Sequence, residues 1–167
     1  MIKRIFFLIP LLVLIISCSG FEFVYNASSF DNIKEKSLFS ISGDDKDIIN
    51  SYLLSKIGEA GNNPAYALSI VSSGVIEATV IEVDATASKF MIKHDLKYTL
   101  NNISKKCMIV EKNILTNNLY DAKSAGYSFG SDLAEKELST KNLRSNIDQF
   151  LNELSINYNY LKCKNED

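Results

Sequence analysis

Few side chains in this sequence could carry out chemistry, and each sits in a context that limits it. His94 is the sole imidazole. Any proton relay of the Ser-His-Asp or Cys-His kind must therefore use it, and multi-histidine metal sites are excluded. Its neighbour Asp95 cannot readily pair with it, because successive strand residues point to opposite faces. His94 falls on the apolar face of its strand and reads as a hydrogen-bonded structural histidine. Asp44, Asp45 and Asp47 cluster just before a helix. They lack the later ligands of a calcium loop and read as helix N-caps and first-turn charges favoured by the helix dipole. Gly58 and Gly61 follow that helix and are not part of a Gly-rich sequence ending in Lys-Ser/Thr, so they read as a helix stop rather than a phosphate loop. No catalytic residue, metal set or cofactor site is expected.

Two further groups have a spacing worth weighing. Lys89, Lys93 and Lys97 fall on the polar side of one strand, with Lys105 and Lys106 at its far turn. One reading is a solvated face with Asp95 as counter-charge. The other is a basic strip for an anionic ligand such as a phosphorylated sugar. Cys107 and Cys163 form an even pair that an oxidising compartment permits to bond. Cys163 follows the last helix and reaches the sheet only if that helix packs back over it. A core of this size does not require the bond, so two free thiols stay open as the alternative.

The third cysteine is of another kind. Met1-Ile2-Lys3-Arg4 is basic, and Ile5 to Ile16 is an uncharged run interrupted only by Pro10. Ser17-Cys18 follows. This is the charged, apolar and small-residue succession of a secretory signal peptide, and the run is short of the ~20 residues of a membrane span. Ile15-Ile16-Ser17-Cys18 resembles the bacterial lipobox, in which the cysteine sulfur takes a diacylglycerol, the chain is cut before it, and the new amine is acylated. Cys18 is therefore the expected lipidation site. Each buried acyl CH₂ is worth ~0.8 kcal/mol, so three chains would hold the protein in the membrane essentially permanently. Ser19, where inner-membrane lipoproteins of the Gram-negative type usually carry Asp, resembles an outer-membrane address with the domain facing the periplasm.

Residues 1–17 thus stand apart from the fold, and residues 18–167 form one domain. Without Lys3 and Arg4 the net charge moves from −2 to −4. The sequence pI near 5.5 argues against a nucleic-acid partner, which needs a basic face to neutralise phosphates.

The elements that must position these residues are legible as patterns. Asn26 to Glu35 reads as a polar loop and Ser37 to Ser42 as a first strand. Ile48, Ile49, Tyr52, Leu53 and Ile57 repeat at three and four residues, one face of an amphipathic helix. Tyr66 to Ser72 starts a second strand that continues through Val75 to Val83, with a bulge expected at Ser73-Gly74. Phe90, Ile92, Leu96, Tyr98 and Leu100 alternate with Met91, Lys93, Asp95, Lys97 and Thr99, which predicts a half-buried antiparallel strand. Cys107 to Leu115 is the next strand. Asn117 to Gly130 reads as a polar segment. From Ser131 a helix runs to about Tyr158, its apolar stripe being Leu143, Ile147, Phe150, Leu151, Leu154 and Tyr158. Lys162 to Asp167 is a charged tail. The order β-α-β-β-β-α predicts an α+β two-layer sandwich, a four-stranded sheet with two helices on one face.

Cys18-Ser19-Gly20-Phe21 with the aromatic Phe23 and Tyr25 resembles the opening of the lipopolysaccharide-assembly lipoprotein family LptE, also called RlpB. The helix after the first strand is similar too. So are Tyr98-x-Leu100 ahead of a hairpin, Tyr127-Ser128, and the last helix leading to Ile147-x-x-Phe150-Leu151. Here Ser19 is inserted before Gly20. Lys89 stands nearest the arginine that many members carry before the central strand, and lysine lacks the bidentate fork of arginine. The resemblance implies a non-enzymatic outer-membrane lipoprotein that plugs and helps assemble the LptD barrel and assists lipopolysaccharide transport to the outer leaflet. It implies two helices packed on a four-stranded sheet. Lys89, Lys93 and Lys97 are the candidate lipopolysaccharide contacts. The competing expectations are a lipoprotein subunit of another envelope system, such as a lipid-transport ABC complex, and a lipidated hydrolase built on His94. For the anchor, Cys18→Ala is expected to leave an uncleaved precursor in the inner membrane, read by the mass of the purified chain. Normal maturation of that variant would refute the lipobox.

Overall fold

The computed structural model describes residues 30–81, 83, 87–121, 128–157 and 161–164. Cys18, the aromatic stretch behind it and Tyr127 lie outside these residues. The elements are α1 (Phe30–Ile33), β1 (Ser37–Gly43), α2 (Lys46–Ile57), β2 (Tyr66–Ile81), β3 (Ala87–Asn102), β4 (Cys107–Asp121) and α3 (Ser128–Asn157). The sheet order is β1-β2-β3-β4. β1 runs parallel to β2, and α2 is the crossover that parallel pairing demands. The other two pairings are antiparallel. Apart from the short α1, the order is the β-α-β-β-β-α expected, and the architecture is the α+β sandwich.

Alternation decides the layers. Leu68 and Ile70 on β2, Leu96, Tyr98 and Leu100 on β3, and Val110 and Ile114 on β4 share one face of the sheet and are buried. Ile49, Leu53 and Ile57 of α2 and Leu143, Ile147, Phe150, Leu151 and Leu154 of α3 complete that core. The Tyr98 ring stacks on Phe150 at 4.0 Å between centroids. The opposite face of the sheet lacks a covering layer among the described residues, and Val71, Val75, Leu115 and Leu119 stand exposed on it.

Several boundaries differ from expectation. The expected loop Asn26 to Glu35 contains α1, whose Ile33 is buried in the core. β2 is unbroken at Ser73-Gly74, and the register shifts fall at Ala78, Val80 and Ile81 instead. Gly74 lies directly opposite His94. A Cβ there would come 3.3 Å from the imidazole Cδ2 and 3.6 Å from Asp45 Oδ2. The glycine thus makes room for a cross-strand side chain rather than a bulge.

β4 runs to Asp121, through residues read as polar loop. Its helix-facing polar groups are answered by α3: Asn118 Nδ2 donates to Asn142 Oδ1 at 3.0 Å, and the Tyr120 hydroxyl to Glu135 at 2.7 Å. α3 starts at Ser128, three residues earlier than expected, and ends at Asn157. α2 stops where expected, at Gly58 with φ 75°, whose N–H returns to the Leu54 carbonyl at 3.0 Å.

α3 is bound to the sheet by two buried asparagines one turn apart. Asn146 accepts from the Tyr98 hydroxyl at 2.8 Å and donates to the Ile114 carbonyl at 2.8 Å. Replacing it by alanine strands both groups in the core. At ~1–3 kcal/mol for each unsatisfied buried group, Asn146→Ala is expected to cost roughly 3 kcal/mol or more in urea unfolding. A loss below about 1 kcal/mol would show that the sheet and α3 are not held this way.

Candidate functional site

His94 sits in a set of polar contacts that joins three separate segments. It is buried, at 2% exposure, where β3 passes beneath α3 and faces the β1–α2 turn. Asn142 Nδ2 lies 3.1 Å from its Nδ1, Ser139 Oγ 3.1 Å from its Nε2, and Asp45 Oδ2 3.5 Å from the same Nε2. The asparagine decides the tautomer. Its Nδ2 also faces the carbonyls of Ile92 at 3.3 Å and Thr116 at 3.2 Å, which can only accept. Nδ2 is therefore the donor, His94 Nδ1 the acceptor, and the imidazole proton sits on Nε2. Burial holds the imidazole pKa below its ordinary value, against the opposing pull of Asp45 and Asp44.

This arrangement contains a serine, a histidine and an aspartate but not a relay. A relay needs the carboxylate on one ring nitrogen and the serine on the other. Here Ser139 and Asp45 share Nε2, which carries the proton, so His94 cannot accept the Ser139 hydroxyl proton. The residues expected as helix caps are also occupied otherwise. Asp45 has φ 56° and makes no side-chain cap. Asp44 Oδ2 accepts from the Gly74 N–H at 3.0 Å. The turn before α2 thus ties itself to β2 and β3 instead of capping the helix. Together with Glu135, Ser139 and Ile76, these groups border a cavity of about 390 Å³. Among the described residues, no three His, Cys, Asp or Glu side chains converge as metal ligands.

The lysine strip lies on the uncovered face of the sheet, and its charges are answered. Lys89 pairs with Asp121 at 3.7 Å, Lys93 with Glu77, and Lys97 with Glu111. The counter-charges come from neighbouring strands rather than from Asp95. Lys97 holds the Glu111 carboxyl below the usual range. Asp95 turns into the same face beside Val71, Ser73, Lys97, Glu111 and Asn113, which line a depression of about 520 Å³. The face is therefore a mosaic of ion pairs and exposed Val75, Leu115 and Leu119, not a block of positive potential.

The cysteine pair, open in the sequence, is joined: Cys107 and Cys163 form a disulfide with Cα atoms 5.7 Å apart. It pins residues 161–164 beside the start of β4, where the Lys164 N–H donates to the Met108 carbonyl at 2.9 Å. The signal that could have found this is burial: Leu161 and Cys163 are both apolar and both buried within an otherwise charged tail.

The same two layers recur in solved structures. A lipoprotein of Caulobacter crescentus superposes with TM-score 0.57 at 12% identity, over 75% of this chain and 92% of that one. Rare lipoprotein B of Shewanella oneidensis gives 0.51 at 13% identity, over 70% and 92%. The fold is that of rare lipoprotein B. A minor lipoprotein of Acinetobacter baumannii gives 0.52 at 14% identity, over 75% and 95%. No family model and no curated protein matches the chain by sequence. At such identities the rare lipoprotein B likeness is one of backbone architecture.

Within the rare lipoprotein B fold of this chain, the tautomer of His94 makes Ser139 an ordinary alcohol. A fluorophosphonate probe is expected to leave Ser139 unlabelled. Labelling that disappears in Ser139→Ala would overturn that assignment.

Proposed function

We propose that this chain is a non-enzymatic, lipid-anchored subunit of the outer membrane that seats in an LptD-type β-barrel, helps the barrel assemble and assists lipopolysaccharide transport to the outer leaflet. The observation that carries this reading is the two-layer fold, shared with rare lipoprotein B over most of both chains. The lipobox at Cys18 agrees with it, because a triacylated cysteine would tether the domain at the membrane. So does the uncovered sheet face. Its paired charges and exposed aliphatic side chains suit contact with a large wet surface, such as the inside of a barrel, more than a small-molecule pocket. In this reading Lys89, Lys93 and Lys97 meet phosphates of the lipopolysaccharide headgroup by exchanging their acidic partners.

Depletion of the protein in its host, followed by quantification of folded barrel, tests the proposal. Folded LptD-type barrel and its co-purification with this chain are expected to fall together. Normal barrel assembly and lipopolysaccharide export after depletion would end the proposal. Co-purification with an ABC transporter in place of a barrel would assign the chain to another envelope system.

A further inference from the structure

His94 is the point where three elements meet. The β1–α2 turn brings Asp44 and Asp45 to it, and α3 brings Ser139, Asn142, Glu135 and Lys136. β2 presents Gly74, Val75 and Ile76, and β4 presents Thr116, none of them charged. We propose that His94 is a proton-operated latch, which holds the first half of α3 on the sheet while neutral and releases it when protonated.

The geometry supplies the trigger. Protonation places an N–H on Nδ1, aimed at the Asn142 amide nitrogen 3.1 Å away. Two donors then face each other. Asn142 cannot answer by flipping, because its oxygen would then face the carbonyls of Ile92 and Thr116 that its Nδ2 now serves. The strain is relieved when this turn of α3 lifts and takes Asn142 with it. On the other ring nitrogen, Asp45 is already within 3.5 Å and can pair with the imidazolium. The charged histidine therefore keeps a partner on the sheet side while losing its compatibility with the helix side.

The sign follows from linkage. In the closed form burial lowers the imidazole pKa from its ordinary 6.5. In the released form it returns toward that value, so release takes up a proton. The closed form is favoured above pH 6.5 and loses ground as pH falls below it, by up to about tenfold per pH unit until the closed-state pKa is reached. Release is confined to the first half of the helix. Leu143, Ile147, Phe150, Leu151 and Leu154 hold the second half in the core, with Asn146 bonded to Tyr98 and Ile114. Release uncovers Ile92 beside the polar Thr116 and Asn118 that α3 now covers. Ile92, now 1% exposed, would join Ile76, Val80 and Ile81, which already stand exposed at that end of the sheet. Acidification would thus widen an apolar surface at the free end of β2, β3 and β4.

The test uses the fact that the chain has one histidine, so its imidazole ¹³Cε1 signal is unique. That signal is followed from pH 7.5 to 5 on the full chain in detergent micelles, alongside amide hydrogen exchange corrected for intrinsic rates. Protection of residues 128–142 is expected to fall up to about tenfold per pH unit below 6.5, in step with the imidazole signal. Residues 147–157 are expected to stay protected. Asp45→Asn removes the carboxylate that favours the charged ring, and both the imidazole titration and the release should move together to lower pH. His94→Gln should abolish the pH dependence of residues 128–142. If that variant does not fold, the Asp45→Asn comparison decides. The latch is overturned if the imidazole titrates while protection of 128–142 is unchanged. It is equally overturned if both halves of α3 open together, or if Asp45→Asn moves the titration and not the release.

Discussion

A thirty-residue helix as polar as α3 can close a core only if the polar groups it buries find partners at the sheet. Asn142 and Asn146 meet that condition. Both are essentially inaccessible to water, and between them they engage carbonyls of Ile92, His94, Ile114 and Thr116, the Tyr98 hydroxyl and the His94 ring. These bonds fix the height and register of the helix. Leu143 and Ile147, their immediate neighbours, then enter the same core as Leu96, Tyr98 and Ile114. An all-apolar stripe could have slid along the sheet. A stripe that carries two amides cannot move a turn without leaving several buried groups unpaired at ~1–3 kcal/mol each.

The same bonds set the character of His94. Taken alone, a serine, a histidine and an aspartate within 3.5 Å would invite a hydrolytic reading. The amide of Asn142 reverses it by occupying the nitrogen that a carboxylate would need. The structural role of the asparagine and the chemical reticence of the histidine are one feature. Gly74 belongs to it too, because the space it leaves is the space the imidazole fills.

The two faces of the sheet divide the labour of the domain. The helix-covered face holds the buried core. The other carries Lys93–Glu77 and Lys97–Glu111 among exposed Val71, Val75, Leu115 and Leu119. Surface ion pairs of this kind contribute little to stability. Rare lipoprotein B and the minor lipoprotein share the same two layers.

The alternation of β3, the three-and-four spacing of α2 and the stripe of α3 were enough to determine the element order and the two layers. They report which side of each element is apolar, and burial of apolar surface dominates the choice of fold. The basic and apolar succession ahead of Cys18 is likewise a pattern of local sequence alone. What only the tertiary structure decided is every feature that depends on partners distant in the chain. Residues 117–121 look like loop until α3 answers Asn118 and Tyr120. Gly74 looks like a bulge until His94 is placed opposite it. Asp45 looks like a cap until it turns to the imidazole, and the lysines look like a basic strip until Glu77, Glu111 and Asp121 arrive from other strands. Cys107 and Cys163 are 56 residues apart, and no local pattern records that the end of the chain returns to the start of β4. Hydrophobic burial is non-directional and leaves a periodic trace in the sequence. Hydrogen bonds, ion pairs and the disulfide are directional and pairwise, so they exist only once the fold has brought both partners together.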